Sequence, residues 1–285
     1  KTCNYQCIYC QLGKTTNFTN ERRNYFPKEE IMVEIEEAIK QSKNNFDYIT
    51  FVGSGEPTLY KDLEKLILKA KSISDRPICV ITNGALLGNE EVIKALLLSD
   101  VVLPSLDAGD EKSFKRINRP HPNIKFDSLI QSFIDFKRIF KGKFWIEIMI
   151  MNAINDSKKE LLKIKEKIDL IKPDKIDINI PIRPPHENWV KIPDKNIFSL
   201  LDEIFGSYSD ISFPERGNFY LYSQDFEEEL LNIIKRHPMR QDQIINTFSS
   251  KNFKKEQIIS LLKRLESENK IKKSIYNKQI YWSLF

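Results

Sequence analysis

Cysteine is scarce in this chain of 285 residues: there are four copies, and three of them lie within the first ten residues. A disulfide framework is typical of small secreted domains with many paired cysteines, so this long, lysine-rich chain does not belong to that class. Long apolar runs are also absent, because no stretch approaches the 18 residues that a membrane-spanning helix needs. No secretory signal is visible. We therefore expect a cytoplasmic protein with reduced cysteines and no membrane partner.

The cysteines near the start form a metal-binding pattern. Cys3, Cys7 and Cys10 have the spacing C-x3-C-x2-C, and Tyr9 directly precedes the last of them. Thiolates hold iron–sulfur clusters, and three of them on one loop fit three irons of a cubane [4Fe–4S] cluster, with the fourth iron left open. Structural zinc prefers four ligands, commonly in two C-x2-C pairs, and the sequence has no second pair. The remaining cysteine, Cys79, lies within a predicted strand and is typical of a core residue.

The rest of the first two hundred residues alternates between strand and helix patterns. This alternation predicts βαβ units and a parallel sheet. Five strands are predicted, at residues 48–52, 77–82, 101–106, 144–151 and 174–180. The chain starts at Lys1 without a methionine, so we expect an upstream segment with one more strand, which would make six β/α units. The cysteine loop would then follow the first strand at the C-terminal face, where barrel active sites form.

Polar residues alternate with aliphatic ones along the last two predicted strands. Isoleucines occupy one face of each strand, which leaves Glu147, Asp177 and Asn179 on the face that points into the barrel. Buried polar groups need partners. A polar ligand inside the barrel would provide them, and an internal ion pair with Lys175 is the alternative.

The cysteine motif, together with the segment Gly53-Ser54-Gly55-Glu56-Pro57 after a strand, resembles the radical S-adenosylmethionine (SAM) superfamily. The resemblance implies a partial (β/α)6 TIM-type barrel whose cluster binds the amino and carboxylate groups of SAM at its open iron. It also implies reductive cleavage of SAM to a 5′-deoxyadenosyl radical, which abstracts a hydrogen atom from a substrate. Ser54 stands where the family has a second glycine, and the family contact there is made largely through the backbone.

The predicted cofactor contacts combine this resemblance with the strand pattern and the basic Arg183 loop. Tyr9 would contact the adenine region, and Arg183 could bind a carboxylate or phosphate through its planar fork. The alternatives are a turn or helix cap for Asn83, Ser105 and Asp107, and a surface arginine ordered by neighbouring prolines for Arg183. The predicted contacts of SAM are Tyr9, Gly53, Gly55, Glu56, Asn83, Ser105, Asp107, Glu147, Asn179 and Arg183, and the predicted cluster ligands are Cys3, Cys7 and Cys10.

Within the superfamily, the chain resembles the wyosine-synthetase-like iron–sulfur oxidoreductases from Lys1 to about Trp189. The segments that carry this resemblance include Phe51–Thr58, Thr82–Leu87 and Leu103–Ala108. True wyosine synthetase modifies a tRNA base and carries a second cluster. Cys79 alone cannot supply such a cluster, so its ligands would have to lie upstream.

The end of the chain differs from the rest in charge. From Asp225 onward there are 12 Lys or Arg residues against 8 Asp or Glu, a net +4 out of +5 for the whole chain. Three predicted helices and a hairpin in this segment look like a winged helix. We therefore predict a radical SAM barrel at 1–206, a linker at 207–224 and a winged-helix-like domain at 225–285.

The basic tail is compatible with two kinds of macromolecular substrate. Exposed lysines can bind nucleic-acid phosphates, and winged helices also bind peptides or only pack against the main domain. We expect a radical SAM enzyme that modifies RNA, with a tRNA base first, or else a ribosomal peptide or protein. Flavodoxin or ferredoxin is the expected electron donor. The non-enzymatic alternative is a regulator that senses SAM or redox state and binds DNA.

Overall fold

The computed structural model describes residues 1–42, 46–206, 209–211, 225–249 and 253–284. The chain divides into two compact units. The first comprises Lys1–Ile8, Lys14–Ile180 and Pro193–Ser212, and the second comprises Tyr9–Gly13, Pro181–Ile192 and Phe213–Phe285. Apart from residues 209–211, the predicted linker at 207–224 lies outside the described residues.

A parallel sheet of six strands forms the centre of the first unit, in the order β3-β4-β5-β6-β7-β8. These strands are β3 (Ile49–Phe51), β4 (Ile78–Thr82), β5 (Val101–Pro104), β6 (Lys143–Met149), β7 (Lys175–Asn179) and β8 (Ser209–Ile211). The five predicted strands are all present. The sixth, β8, pairs with β7 in a stretch that the sequence analysis assigned to a linker. Two shorter strands, β1 (Thr2–Cys3) and β2 (Asn17–Phe18), pair with each other beside the cysteine motif.

Helices connect the strands of this sheet, as parallel pairing requires. They are α1 (Lys28–Ser42), α2 (Leu63–Ile73), α3 (Glu90–Leu96), α4 (Glu111–Ile117), α5 (Phe126–Ile139), α6 (Lys158–Ile171) and α7 (Ile197–Phe205). Asp156 and Ser157 are adjacent residues that could both cap α6 by residue type. The cap is Ser157, whose Oγ accepts a hydrogen bond from Glu160 N at 3.3 Å. Serine and aspartate are equally good caps, so the sequence pattern alone could not choose between neighbours.

The core of the first unit confirms the predicted alternation along β6. Phe144, Ile146 and Ile148 are buried, whereas Glu147 is only half-buried. Phe133 and Phe136 of α5 contact Phe144, with ring centroids 6.1 and 5.8 Å apart. The aliphatic face of the strand thus faces a helix, and Glu147 lies on the opposite face.

In the second unit, the residues after Asp225 form three helices and a small antiparallel sheet. The helices are α8 (Phe226–Arg236), α9 (Gln241–Ser249) and α10 (Lys255–Ser267), and the strands are β9 (Met239–Arg240), β10 (Ile271–Tyr276) and β11 (Gln279–Leu284), in the order β10-β11-β9. The hairpin turns at Asn277 and Lys278, which both have positive φ (47° and 62°), as tight hairpin turns prefer. A continuous apolar core that includes Leu230, Leu262 and Trp282 holds these elements together.

Across the described parts of both units, no helix has the length and apolar character needed to cross a membrane.

Candidate functional site

The cysteine motif begins on β1, which contacts the loop after β3 through backbone atoms. Glu56 N donates a hydrogen bond to Thr2 O at 3.0 Å, and Gly55 forms a β-bridge with Thr2. Gly55 has φ = +142°, and a Cβ built there would lie 1.7 Å from Thr2 O. Gly53, by contrast, would place a Cβ no closer than 3.8 Å to any neighbouring atom. Only Gly55 therefore needs to be glycine for this contact, because only there does the backbone approach exclude a side chain.

The carboxylate of Glu56 is buried and holds two loops together. Its Oε1 accepts hydrogen bonds from Thr58 N at 3.0 Å, Thr58 Oγ1 at 2.6 Å and Thr82 Oγ1 at 2.5 Å, and its Oε2 accepts one from Asn83 N at 2.7 Å. Burial raises the pKa of Glu56, and these hydrogen bonds oppose that rise. Glu56 thus fixes the loop after β3 to the carboxyl end of β4.

Cys3 lies beside the end of β4, where an asparagine side chain approaches its sulfur. Asn83 Nδ2 is 3.8 Å from Cys3 Sγ and donates to Asn4 Oδ1 at 2.6 Å. Cys3 Sγ also accepts a hydrogen bond from Tyr5 N at 3.4 Å. Asn4 is fully buried and donates in turn to Asn20 Oδ1 at 3.0 Å. The sulfur of Cys3 therefore lies among N–H donors.

Cys7 has a matching arrangement with a second asparagine. Asn118, which follows α4, places its Nδ2 3.6 Å from Cys7 Sγ and 2.6 Å from Asp107 Oδ2. Asp107 is buried, and its Oδ1 accepts a hydrogen bond from Met149 N at 2.9 Å. Asp107 therefore orients the amide of Asn118 toward Cys7 and ties the loop after β5 to the end of β6.

Cys3, Cys7 and Cys10, the predicted cluster ligands, form no disulfide among the described residues. No three His, Cys, Asp or Glu side chains of the described residues converge as they would on a single metal ion. In a cluster each cysteine binds its own iron, so this finding does not bear on the cluster prediction. Burial, and after it the charge of Asp177, raises the pKa of Cys79 to about 11, so this fourth cysteine stays a protonated thiol in the core.

A second cluster of polar side chains, centred on Glu147, lies at the carboxyl ends of the central strands. Asn179 Nδ2 donates to Glu147 Oε1 at 2.5 Å, and Ser105 Oγ lies 3.4 Å from Glu147 Oε2. Burial raises the pKa of Glu147 to about 7, the charge of Asp107 adds to this rise, and the hydrogen bond from Asn179 opposes it. Lys175, the alternative ion-pair partner for the inward-facing polar residues, pairs with Asp177 at 3.0 Å. The Glu147 carboxyl group therefore has no cation next to it among the described residues, and it changes charge near neutral pH.

Three of the predicted site residues belong to the second unit. In that unit, Arg183 Nη1 donates to Gln11 Oε1 at 2.8 Å, and Gly13 N donates to Cys10 O at 3.1 Å. Tyr9 lies in the same short segment as Cys10. Arg183 thus holds the segment that carries the third cysteine.

Comparison with known proteins identifies the family. The profile of the radical SAM superfamily matches residues 1–164. This chain belongs to the radical SAM superfamily. It is 33% identical to a UPF0026 protein of Methanocaldococcus jannaschii over 288 residues, which covers 99% of this chain and 88% of that protein. It is also 40% identical to a Brachyspira hyodysenteriae protein named GTPase Obg over 97% of this chain, and it spans 41% of the length of that relative.

Solved structures of radical SAM enzymes share the fold. Streptococcus suis SuiB bound to S-adenosylmethionine superimposes with a TM-score of 0.54 at 17% identity, over 76% of this chain and 48% of SuiB. Likeness at this identity concerns the fold alone. Membership of the radical SAM superfamily makes this chain an enzyme of that superfamily and implies SAM and an iron–sulfur cluster.

The radical SAM fold brings several predicted residues together and separates others. Ser105, Glu147 and Asn179 form one group, as expected for residues that serve one ligand. Asp107, also a predicted SAM contact, is buried against Asn118 and the backbone of Met149. The side chain of Glu56 is likewise committed to Thr58, Thr82 and Asn83. In this radical SAM chain the side chains of Asp107 and Glu56 therefore shape the site.

Sequence reasoning assigned no role to several residues of the site. They are Asn4, Tyr5 and Asn118. Asn118 had a usable signal, since it stands directly after a helix and before an Arg-Pro pair. Asn4 and Tyr5 could have been singled out only as the residues between the first two cysteines.

Proposed function

We propose that Cys3, Cys7 and Cys10 bind a [4Fe–4S] cluster and that the polar group around Glu147 binds SAM. The observation that carries this proposal is the pair of asparagine amides, one beside Cys3 and one beside Cys7. When bound, the cluster and SAM together supply hydrogen-atom abstraction from a substrate. A flavodoxin or ferredoxin is the proposed electron donor.

The chain's own residues have distinct tasks in this proposal. Asn83 and Asn118 orient the cysteine sulfurs, and Asp107 keeps the amide of Asn118 in place. Glu56 holds the Gly53–Gly55 turn at the strand end, where backbone carbonyls can accept hydrogen bonds from the amino group of SAM. Glu147 and Asn179 offer a carboxyl group and an amide to the polar groups of SAM. The protonation state of Glu147 depends on which charged groups and hydrogen-bond donors of SAM lie beside it.

The test is cluster formation and SAM cleavage by anaerobically reconstituted protein. Wild type should bind four irons and four sulfides and release 5′-deoxyadenosine under reduction, as a [4Fe–4S] enzyme does. Cys7→Ala should lose both properties, whereas the control Cys79→Ala should keep them. A full cluster in Cys7→Ala would contradict the proposed ligands. A cluster without any SAM cleavage would favour a SAM- or redox-sensing regulator instead.

For the substrate, we propose RNA, with a tRNA base as the first candidate. The support is the distribution of charge over the elements from α8 to β11. We propose that these elements form a winged helix. Arg264 and Lys270 are neutralised there by ion pairs with Glu227 and Glu268. Seven lysines there have exposed side chains and no ion pair within the described residues: Lys235, Lys254, Lys255, Lys263, Lys272, Lys273 and Lys278. These lysines are therefore available to bind phosphates, which attract lysine irrespective of base sequence.

Binding of tRNA at several salt concentrations tests this substrate class. The logarithm of affinity should fall with the logarithm of salt concentration, with a slope of about −0.7 to −0.9 for each phosphate neutralised. The double variant Lys272→Gln, Lys273→Gln should bind more weakly and reduce the slope. The control Lys94→Gln, Lys112→Gln makes the same charge change on exposed lysines of the first unit and should have little effect. Equal losses in both variants would refute a specific role for the tail, and salt-independent binding of a peptide would support the peptide alternative.

A further inference from the structure

Tyr281 lies in β11, the central strand of the small antiparallel sheet in the second unit. The residue is 4% exposed, and its partners across the sheet are Ser274 of β10 and Arg240 of β9. Its ring contacts Tyr276 of β10 edge-on, with centroids 6.4 Å apart. The neighbouring strands and this ring contact therefore fix the direction in which the Tyr281 hydroxyl points.

The hydroxyl of Tyr281 binds the backbone of a loop that is distant in the sequence. It donates a hydrogen bond to Ile182 O at 2.5 Å, across 99 residues. Burial raises the pKa of Tyr281, and the charges of Arg240 and Arg183 oppose that rise. The hydroxyl therefore keeps its proton at neutral pH and remains a donor.

The loop that accepts this hydrogen bond has little conformational freedom. It lies in the segment Pro181–Ile192, which belongs to the second unit together with β11. Pro181, Pro184 and Pro185 each have φ fixed by their rings, and the first and last of these prolines are buried. Arg183 lies between these prolines. A hydrogen bond to the preceding carbonyl therefore restrains the position of Arg183 as well.

Arg183 extends this connection to the cysteine motif. Its Nη1 donates to Gln11 Oε1 at 2.8 Å. Gln11 lies inside a turn that Gly13 N closes by donating to Cys10 O at 3.1 Å, and Gly13 has φ = +71° there. All of these residues belong to the second unit. Two hydrogen bonds and a proline-rich loop thus connect Tyr281 with the residue that follows Cys10.

We propose that Tyr281 is a positioning residue for the third cysteine, because its hydroxyl holds Cys10 in place through the Arg183 loop. This inference rests on the proposed cluster, of which Cys10 is a ligand. A ligand that is already in place needs less rearrangement to bind iron, so the cluster is held more firmly. The elements from α8 to β11 then have a task besides binding substrate, which is to keep one cluster ligand in position.

The test measures amide hydrogen exchange in the reduced apoprotein, resolved by residue with NMR. Tyr281→Phe should accelerate exchange of the Gly13 amide by about twofold to tenfold, the change in a local opening equilibrium that loss of one hydrogen bond causes. The amide of Ile8, which donates to Ile117 O in the first unit, should keep its wild-type rate. The matched control is Tyr276→Phe in the same sheet. Its hydroxyl has no hydrogen-bond partner among the described residues, so exchange at Gly13 should not change.

A second variant breaks the connection at its other end and leaves the C-terminal elements intact. Gln11→Met removes the acceptor of Arg183, so it should also accelerate exchange at Gly13. Because Tyr281 acts through the same connection, adding Tyr281→Phe to Gln11→Met should accelerate exchange little further. In reconstituted protein, a chelator should remove iron faster from Tyr281→Phe than from wild type, and Tyr276→Phe should match wild type.

The outcomes separate this inference from the proposed function. Wild-type exchange at Gly13 in Tyr281→Phe or in Gln11→Met would overturn the role of Tyr281. Equal acceleration at Gly13 and Ile8 would also overturn it, because the hydroxyl would then support only the general stability of the fold. Fully additive effects of the two substitutions would overturn it as well, since the residues would then act independently. Failure of the wild-type protein to bind any cluster would overturn the proposed function itself, whereas exchange in the apoprotein still tests the hold on Cys10.

Discussion

Glu147 should make the stability of the apoprotein depend on pH near neutrality. Burial and the charge of Asp107 raise its pKa from 4.5 to about 7 in the folded state. In Glu147→Gln the side chain keeps its shape and loses its charge. The amide oxygen can still accept from Asn179, and the amide nitrogen can donate to Ser105, so both contacts are retained.

The sign and size of the effect follow from proton linkage. Because the folded-state pKa lies above the unfolded one, the carboxyl group favours folding below pH 4.5, and this contribution is lost as the pH rises through about 7. Each unit of difference between the two pKa values is worth about 1.4 kcal/mol. Ionisation therefore costs the folded protein up to about 3 kcal/mol above neutral pH, and less where water reaches the half-buried carboxyl group.

Urea unfolding of reduced apoprotein between pH 5 and pH 8.5 measures this cost. Wild type and Glu147→Gln should be about equally stable at pH 5, and the variant should be the more stable by about 1–3 kcal/mol at pH 8.5. Glu37→Gln, which removes an exposed carboxylate, is the matched control for the change of residue type. A stability difference for Glu147→Gln that does not grow with pH would refute the reasoning.

Three further predictions concern ligand binding, backbone contact and surface charge. Glu147→Gln should weaken SAM binding by about 1–3 kcal/mol in equilibrium titrations, the usual loss for a charged hydrogen bond, and unchanged affinity would remove Glu147 from the SAM site. Gly55→Ala should unfold at markedly lower urea and lose its cluster, because its Cβ would overlap Thr2 O, while Gly53→Ala should resemble wild type. The pKa of Asp110 is lowered to about 2, chiefly by a hydrogen bond from Lys163. Its carboxylate therefore stabilises the folded protein at pH values above the pKa that Asp110 has in the unfolded state. Asp110→Asn should therefore cost about 1 kcal/mol or less at pH 7, and acid titration should show this difference vanish as the pH falls from about 4 to 2.

Periodic features of the fold could be predicted from the sequence, because they repeat over short distances. The alternation of isoleucine with Glu147 along β6 gave both the strand and the inward direction of the carboxylate, as the structure confirms. The strand β8 could not be found in this way, since three residues are too few to establish a period of two. The cap of α6 at Ser157 depended on a choice between adjacent residues that cap helices equally well.

The hydrogen-bond network around the cysteines could not be predicted. Asn83 meets Asn4 across 79 residues of sequence, and Asn118 meets Cys7 across 111. No local sequence pattern marks such pairs, because residues so far apart in the sequence meet only through the folded sheet. The types of residue at strand ends were foreseeable, but whether each side chain faces a ligand or a neighbouring loop was not.

The backbone contact between Thr2 and Gly55 has a consequence for cooperativity. It joins the strand before Cys3 to the turn that would receive SAM, and Asn83 adds a second link from the same turn region to Cys3. A ligand that immobilises one side reduces the conformational entropy that the other side loses on binding. We therefore expect cluster occupancy to increase the affinity for SAM, and SAM to increase the affinity for the cluster by the same factor.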